Sequence, residues 1–331
     1  MQNLQEVGLV AIGRNEGQRL EQCLVSAIGK VARIVYVDSG STDGSIEMAR
    51  TLGVDIVDLD MSRPFSAARA RNEGFNYLLA ADKQIRFVQF VDGDCEIVEG
   101  WIDQAQEFLD ARPQMAIVCG RRRERFPEKS VYNRLCDIEW NTPIGETKMC
   151  GGDFMVRAEA FIQVKGFQPN LIAGEEPELC VRLRHKKWKI FRIVDEMTLH
   201  DAHITNFSQW WKRSLRAGHG YAQGSWLHGH SAERHWVKES RSIWLWGLLL
   251  PVIVMLAAYS THALSLLLLT IYPIIAYRSY SHSIQQGCER DEAFIYACFS
   301  VLAKFPGAQG QIQFYINKIS GTDCQLIEYK I

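Results

Sequence analysis

Short apolar runs alternate with stretches of helical spacing through the first third of this chain. Residues 7–13 (VGLVAIG), 32–39 (ARIVYVDS), 54–59 (VDIVDL) and 85–94 (IRFVQFVDGD) predict strands buried on both faces. Between them, EGQRLEQCLVSAIG places Leu20, Leu24 and Ile28 at helical spacing. DGSIEMARTLG, closed by Gly53, and FSAARARNEGFNYLLAA predict the next two helices. Strands and helices in alternation predict an α/β fold with a mostly parallel sheet flanked by helices.

From about Cys119 the rhythm breaks. GRRRERFPEKSVYNRL reads as a basic loop, CGGDFMVRAEAF as a strand entering a helix, and AGEEPELCVRLRHKKWKIFRI as a capped helix followed by a strand. Within that last stretch RLRHKKWKIFR is dense in cations. It reads either as a solvated helix end complementing the dipole or as a face toward anionic lipid. NFSQWWKRSLRAGHGYAQG is amphipathic, aromatic and basic, with Trp210 and Trp211 placed as interfacial anchors.

Two apolar stretches without Asp, Glu, Lys or Arg follow, residues 243–259 and 262–277. Each is near the ~17-residue minimum for a spanning helix. Lys238 and Arg241 precede them and Arg278 follows, which predicts a hairpin over 243–277 with both ends cytoplasmic. Two buried helices or a shallow re-entrant pair are the competing readings. The expected organisation is an α/β domain over 1–224 and a membrane-associated region over 225–331 that ends in further amphipathic helices.

Composition narrows the classes. The chain has 331 residues and a net charge of -1, so bulk electrostatics do not draw it to nucleic acid. Its nine cysteines form no CxxC or Cys/His ladder, which argues against zinc and suits a reducing compartment. The opening MQNLQEVGLV lacks the basic and long apolar regions of a signal peptide. AIGRNEGQRL after the first strand lacks the GxGxxG of a dinucleotide-binding turn.

The chemistry gathers at strand ends. FVDGDCEI brings Asp92, Gly93 and Asp94 to the carboxyl end of the fourth strand, where open α/β sheets bind ligands. Two carboxylates there repel unless a cation joins them, and a hard ion such as Mg2+ or Mn2+ would do so while recruiting a diphosphate. An Asp-Gly-Asp turn is the simpler alternative. Asp38 ends the second strand and is placed to accept from a base or ribose; Asp43 fits an N-cap. Asn15 and Glu16 follow the first strand within reach of a nucleoside. Arg69 and Arg71 sit two apart on a helix and so point apart: one reaches a phosphate or base and the other the surface.

In order along the chain, AIGRNEGQRLEQCLVS, VYVDSGSTDGS, ARNEG, FVDGDCEI, GGDFMVRAEAF and GEEPELCVRL resemble the family 2 glycosyltransferases of the GT-A fold. The resemblance implies a nucleotide-diphosphate-sugar donor contacted by Ala11, Asn15, Glu16, Asp38, Arg71, Asp92, Gly93 and Asp94. It implies a divalent cation on Asp92 and Asp94, with His200 of LHDAHIT completing its shell. Gly151, Gly152 and Asp153 would face the acceptor. Glu176, with Glu175 as alternate, would take the acceptor hydroxyl's proton as the anomeric centre inverts. A lipid-linked or growing glycan at the cytoplasmic membrane face is the implied acceptor, and transfer to polyprenyl phosphate is a variant of that reading. QWWKRSL departs in order from the Gln/Arg/Trp motif of processive relatives, so processive polymerisation is not implied. A nucleotidyltransferase is the competing enzyme class, poorly matched because IGRNEG lacks a glycine-rich basic loop. A non-catalytic sensor would bind without turnover.

Overall fold

A computed structural model describes residues 6–321; the opening residues on which the leader reading rests, and Cys324, lie outside the described residues. In chain order β1 (Val7–Gly13), α1 (Gln18–Ala27), β2 (Arg33–Asp38), α2 (Ser45–Thr51), β3 (Asp55–Asp58), α3 (Ala67–Ala81) and β4 (Phe87–Asp92) follow the alternation read from the sequence. There follow β5 (Cys95–Ile97), α4 (Trp101–Asp110), β6 (Met115–Glu124), α5 (Val131–Trp140), β7 (Gly145–Thr147), β8 (Phe154–Arg157), α6 (Ala158–Gln163), α7 (Glu175–His185) and β9 (Lys189–His200). One mixed sheet runs β3-β2-β1-β4-β8-β6-β9-β5, with β7 also on β9. The pairs among β1 to β4 are parallel, so the carboxyl ends of β1, β2 and β4 share one edge. β8 joins β4 and β6 antiparallel, while β9 runs parallel to β6. The sheet is thus mixed, parallel over β1 to β4 and partly antiparallel beyond, and flanked by helices.

Apolar residues of β1 and β4, and of β2 from Val35 on, are buried as their unbroken runs require, whereas the edge strand β3 is only partly buried and not covered on both faces as expected. Phe90 packs within 5.4–6.4 Å of Phe75, Phe154, Phe161 and Phe167. Gly74 lets α3 lie close on the sheet, because a Cβ there would stand 2.4 Å from Val10 and 2.8 Å from Val37. Arg71 is one turn earlier on the same sheet-facing side. The basic run is not the expected loop: its first half continues β6 alongside β9, and its second half forms the start of α5.

By contacts the chain divides into two units, Met1–Phe126 with Trp140–Ala202, and Pro127–Glu139 with His203–Ile331. The second is helical. Its α8 (Phe207–His228) begins with a capping box in which Asn206 accepts from the Gln209 amide, and the Gln209 side chain takes the N–H groups of Thr205 and Asn206. That accounts for Gln209 structurally. Trp210 is not an interfacial anchor: it is 2% exposed and packs against Tyr132 and Phe299.

An apolar helix follows. α9 (Val237–Trp244) passes through a π turn at Leu245–Leu249 into α10 (Leu250–Ala258), giving a 22-residue helix from Val237 to Ala258. It is the one helix among the described residues long and apolar enough to cross a membrane. The second apolar stretch is not a matching leg. It starts as a 3-10 helix at Leu264–Thr270 and only then becomes α11 (Ile271–Gln285). α12 (Arg290–Leu302) and α13 (Lys304–Ser320) close the described chain, with α13 lying on α8.

Candidate active site

The strand edge holds a buried network of charge, built around Arg71. Arg71 is 2% exposed and points from α3 to the end of β4. Its Nη2 meets Asp92 Oδ1 at 2.7 Å; its Nη1 meets Glu175 Oε1 at 3.0 Å and Glu176 Oε1 at 3.1 Å. The fork geometry of a guanidinium allows one cation to serve carboxylates from two elements. Burial by itself would lower its proton affinity, but Asp92, Glu176 and Glu175 more than offset this and hold it charged. Arg69 does not reach the surface as expected of one of the pair. It is buried and donates to the carbonyls of Asp60, Arg63 and Pro64.

A second guanidinium comes from β6. Arg122 Nη2 stands 2.8 Å from Asp153 Oδ2 and 3.7 Å from Asp92 Oδ2. Asp153 is fully buried; its Oδ1 accepts the Asp92 amide at 3.1 Å and its Oδ2 accepts from Thr198 at 2.7 Å. Trp140 lies under Arg122 at 5.4 Å and edge-on to His200 at 4.7 Å. So Asp153 is a buried support of the β4 end. Gly152 is where this network has no room for a side chain: a Cβ would stand 2.9 Å from both Asp92 Oδ2 and Arg122 Nη2, and 3.2 Å from Arg71 Nη2. Gly151 has open space around it. We expect Gly152→Ala to displace the carboxylate and lower turnover on the order of 10²-fold while circular dichroism shows the fold retained.

The two acids of VDGD part company. Asp92 faces the guanidinium groups, whereas Asp94, 6% exposed, faces His200, with Oδ1 3.3 Å from Nε2. Adjacent pairing of β5 with β9 sets Cys95 opposite His200. Ligand-type atoms of Asp94, Cys95 and His200 lie within 4.8 Å of one another, and those of Asp92, Cys95 and Asp153 do likewise. Burial, then Arg122, depress the His200 pKa to about 4, so the imidazole is neutral at physiological pH and able to ligate. Among the described residues its buried Nδ1 has no hydrogen-bond partner, Glu124 Oε2 being 4.0 Å away. Burial pushes the Cys95 thiol well up, which leaves a neutral thiol ill suited to a hard cation. The donor set of Asp94 and His200 fits Mg2+ or Mn2+; Asp92 is engaged by cations of the protein itself.

The remaining strand ends lie along the same edge. Asp38 is fully buried: Oδ1 accepts from the Tyr36 hydroxyl at 2.7 Å, and Oδ2 from the amides of Gly40 and Ser41 at 2.9 and 2.7 Å. It therefore organises the turn after β2. Asn15, at φ 55°, ties the turn after β1 to that turn through Ser41 and Thr42. Glu16 pairs with Arg19 at 2.8 Å. Gly93 follows with its amide on the Ile12 carbonyl at 2.8 Å, and its missing Cβ would stand 3.0 Å from that oxygen. Asp43 accepts from Ser45 rather than serving as the N-cap residue, which is Gly44. Ala11 is not brought to this edge; its side chain is fully buried in the middle of β1, among the core.

Glu175 and Glu176 open α7 behind the left-handed Gly174, with Glu175 5% exposed. Burial, then the neighbouring Glu175, raise the Glu176 pKa to about 7 against the pull of Arg71. A carboxyl poised there exchanges protons readily near neutrality.

Residues 10–161, just under half of the chain, match the model of glycosyl transferase family 2. A TPR repeat-containing protein of Synechococcus elongatus is 29% identical over 139 residues, 42% of this chain and 32% of that protein. The chain thus spans about a third of that relative's length. The glycosyltransferase AglE of Haloferax volcanii is 21% identical over 222 residues, 63% of this chain and 70% of its own. Among solved structures, the mannosyltransferase PcManGT of Pyrobaculum calidifontis, in complex with GDP-Man and Mn2+, superposes with a TM-score of 0.58 at 16% identity, covering 90% of this chain and 87% of the other. Residues 1–349 of S. aureus TarS superpose with a TM-score of 0.51 at 12% identity, covering 96% and 92%. These two likenesses are of fold.

Proposed function

We propose, from the match of residues 10–161 to the model of glycosyl transferase family 2, that the chain transfers a sugar, with inversion, from a nucleotide-diphosphate donor to a lipid-linked or growing glycan at the cytoplasmic face of a membrane. The observation that carries the reading is the meeting, around Arg71, of a donor-side acid, Asp92, with a glutamate of raised proton affinity, Glu176. Asn15 and Glu16 line the nucleoside side, beside the turn that Asp38 holds from within. Asp94 and His200 would hold Mg2+ or Mn2+, which when bound supplies positive charge toward the leaving diphosphate. The Mn2+ and GDP-Man in the Pyrobaculum structure support that donor class.

Within this reading the protein's own groups divide the work. Glu176 accepts the proton of the acceptor hydroxyl as that oxygen attacks the anomeric carbon, and the nucleoside diphosphate departs from the opposite face. The step is a single displacement, so the configuration inverts. Gly152 lets Asp92 and Arg122 close on the backbone where any side chain would push them apart. The buried guanidinium groups of Arg71 and Arg122 hold the carboxylates in place. Because Glu176 must be ionised to act, kcat/KM is expected to rise with pH up to about 7 and level off above it. A profile flat from pH 5.5 to 8.5 counts against Glu176 as the base.

Membrane attachment rests on the apolar helix of Val237–Ala258, most of which has no protein cover. Side-chain hydroxyls nearby are satisfied within the segment: Thr261 donates to Ala257, Ser265 to Val254 and Tyr272 to Trp246. Closed polar groups on an apolar surface suit hydrocarbon. Lys238 and Arg241 near its start suit anionic headgroups. The test is a panel of GDP-, UDP- and dTDP-sugars with Mn2+ and a membrane lipid extract, read as sugar entering the lipid phase. Transfer from one donor class is expected; no transfer by folded protein from any donor contradicts the reading.

A further inference from the structure

We propose that Arg71 is a positioning residue that links the two halves of the site, holding Asp92 on the donor side with one nitrogen and Glu175 and Glu176 on the base side with the other, and that Arg71 and Glu175 together decide when Glu176 is free to accept a proton. The inference deepens the glycosyl-transfer reading and rests on it for its functional meaning, though not for its geometry.

The geometry is asymmetric. Arg71 Nη2 is committed to Asp92 at 2.7 Å, while Nη1 is shared between Glu175 at 3.0 Å and Glu176 at 3.1 Å. Two carboxylates share one NH2 group and the single positive charge it carries. Glu175, at 5% exposure, has the more buried position; Glu176 is reached from the open side, its side chain 12% exposed. Like charges that share a site cannot both ionise without cost, so one is pushed toward its neutral form. Of the pair, Glu176 takes the upward push. Glu175 thus acts against ionisation of Glu176 and Arg71 acts for it. The other groups facing Glu176 are Asp92 from β4, Arg122 from β6 and the Cys150 thiol before β8. Asp92 opposes ionisation, and Arg122 favours it.

Replacing the two positioning residues should therefore move Glu176 in opposite directions. Glu175→Gln removes the competing charge and leaves Nη1 to Glu176, so its proton affinity falls. Arg71→Met removes the cation, so it rises. Arg71→Lys keeps a charge without the fork, which cannot serve both elements at once, and falls between.

The test is ¹³C NMR of the full chain in detergent with carboxyl-labelled glutamate, the Glu176 signal being identified by its loss in Glu176→Gln. The Glu176 midpoint is expected to move down by about 1 pH unit in Glu175→Gln and up by about 1–2 in Arg71→Met. An unmoved or raised midpoint in Glu175→Gln overturns the proposal, and this variant decides the matter if Arg71→Met does not fold. The readout needs no substrate. A Glu176→Gln protein that still transferred sugar would contradict the base assignment and leave the charge coupling standing.

Discussion

Glu176→Gln is expected to lower sugar transfer by about 10²–10⁴-fold, the range contributed by a positioned general base. Glutamine keeps the length and the polar contact with Arg71 but cannot accept the proton. Nucleoside-diphosphate affinity should change little, since Glu176 lies on the opposite side of Arg71 from Asp92. The loss should therefore appear in kcat and not in donor binding. Glu175→Gln should retain most of the transfer at neutral pH, which separates the two adjacent glutamates. An equal loss of donor binding in Glu176→Gln would mean that the substitution had collapsed the network and not the chemistry.

Asp94→Asn should abolish the Mn2+ dependence of nucleotide binding. It removes the charged ligand that faces His200 and leaves an amide, a poor partner for a hard cation. His200→Ala should weaken Mn2+ binding in the same direction. Asp92→Asn should behave differently: Arg71 and Arg122 lose a shared counter-ion, so stability falls while Mn2+ binding on Asp94 and His200 persists. Mn2+ electron paramagnetic resonance on the three variants reads these outcomes. Loss of the bound Mn2+ signal in Asp92→Asn equal to that in Asp94→Asn would restore both acids as ligands of one ion.

The parallel part of the sheet was legible because its central strands β1 and β4 are buried on both faces; the edge strand β3 is only partly covered. VGLVAIG and FVQFVD carry no solvent-facing polar position, and a short apolar run between helices has few other folds. The strand ends followed from topology, which brought Asp38, Asp92 and Asp94 to one edge. What remained hidden was pairing across the sheet. Arg122 sits in a run of three arginines that composition reads as exposed, yet β6 continues through it and turns one guanidinium into the site while Arg123 pairs outside with Glu196. The signal lay in the preceding apolar residues 115–119, a strand whose end the basic run continues.

The resemblance implies an acceptor contact at Asp153, but the structure buries it completely under Asp92. A glycine pair before an acid looks the same whether the acid faces a sugar or a neighbouring strand. Trp140 carried no sequence signal, because its role depends on where α5 ends. The apolar tail was legible in composition but not in form. Length and hydropathy cannot distinguish a continuous helix from a 3-10 segment such as Leu264–Thr270.

The central claim is that this strand edge binds a nucleoside diphosphate together with a divalent cation. The most direct test is isothermal titration calorimetry of the detergent-solubilised chain with UDP, GDP, dTDP and CMP, with and without Mn2+. The account predicts that one nucleoside diphosphate binds in the presence of Mn2+ and weakly or not at all without it, and that CMP does not substitute. Binding indifferent to Mn2+, or none of the four binding to folded protein, would contradict it and return VDGD to the role of a turn.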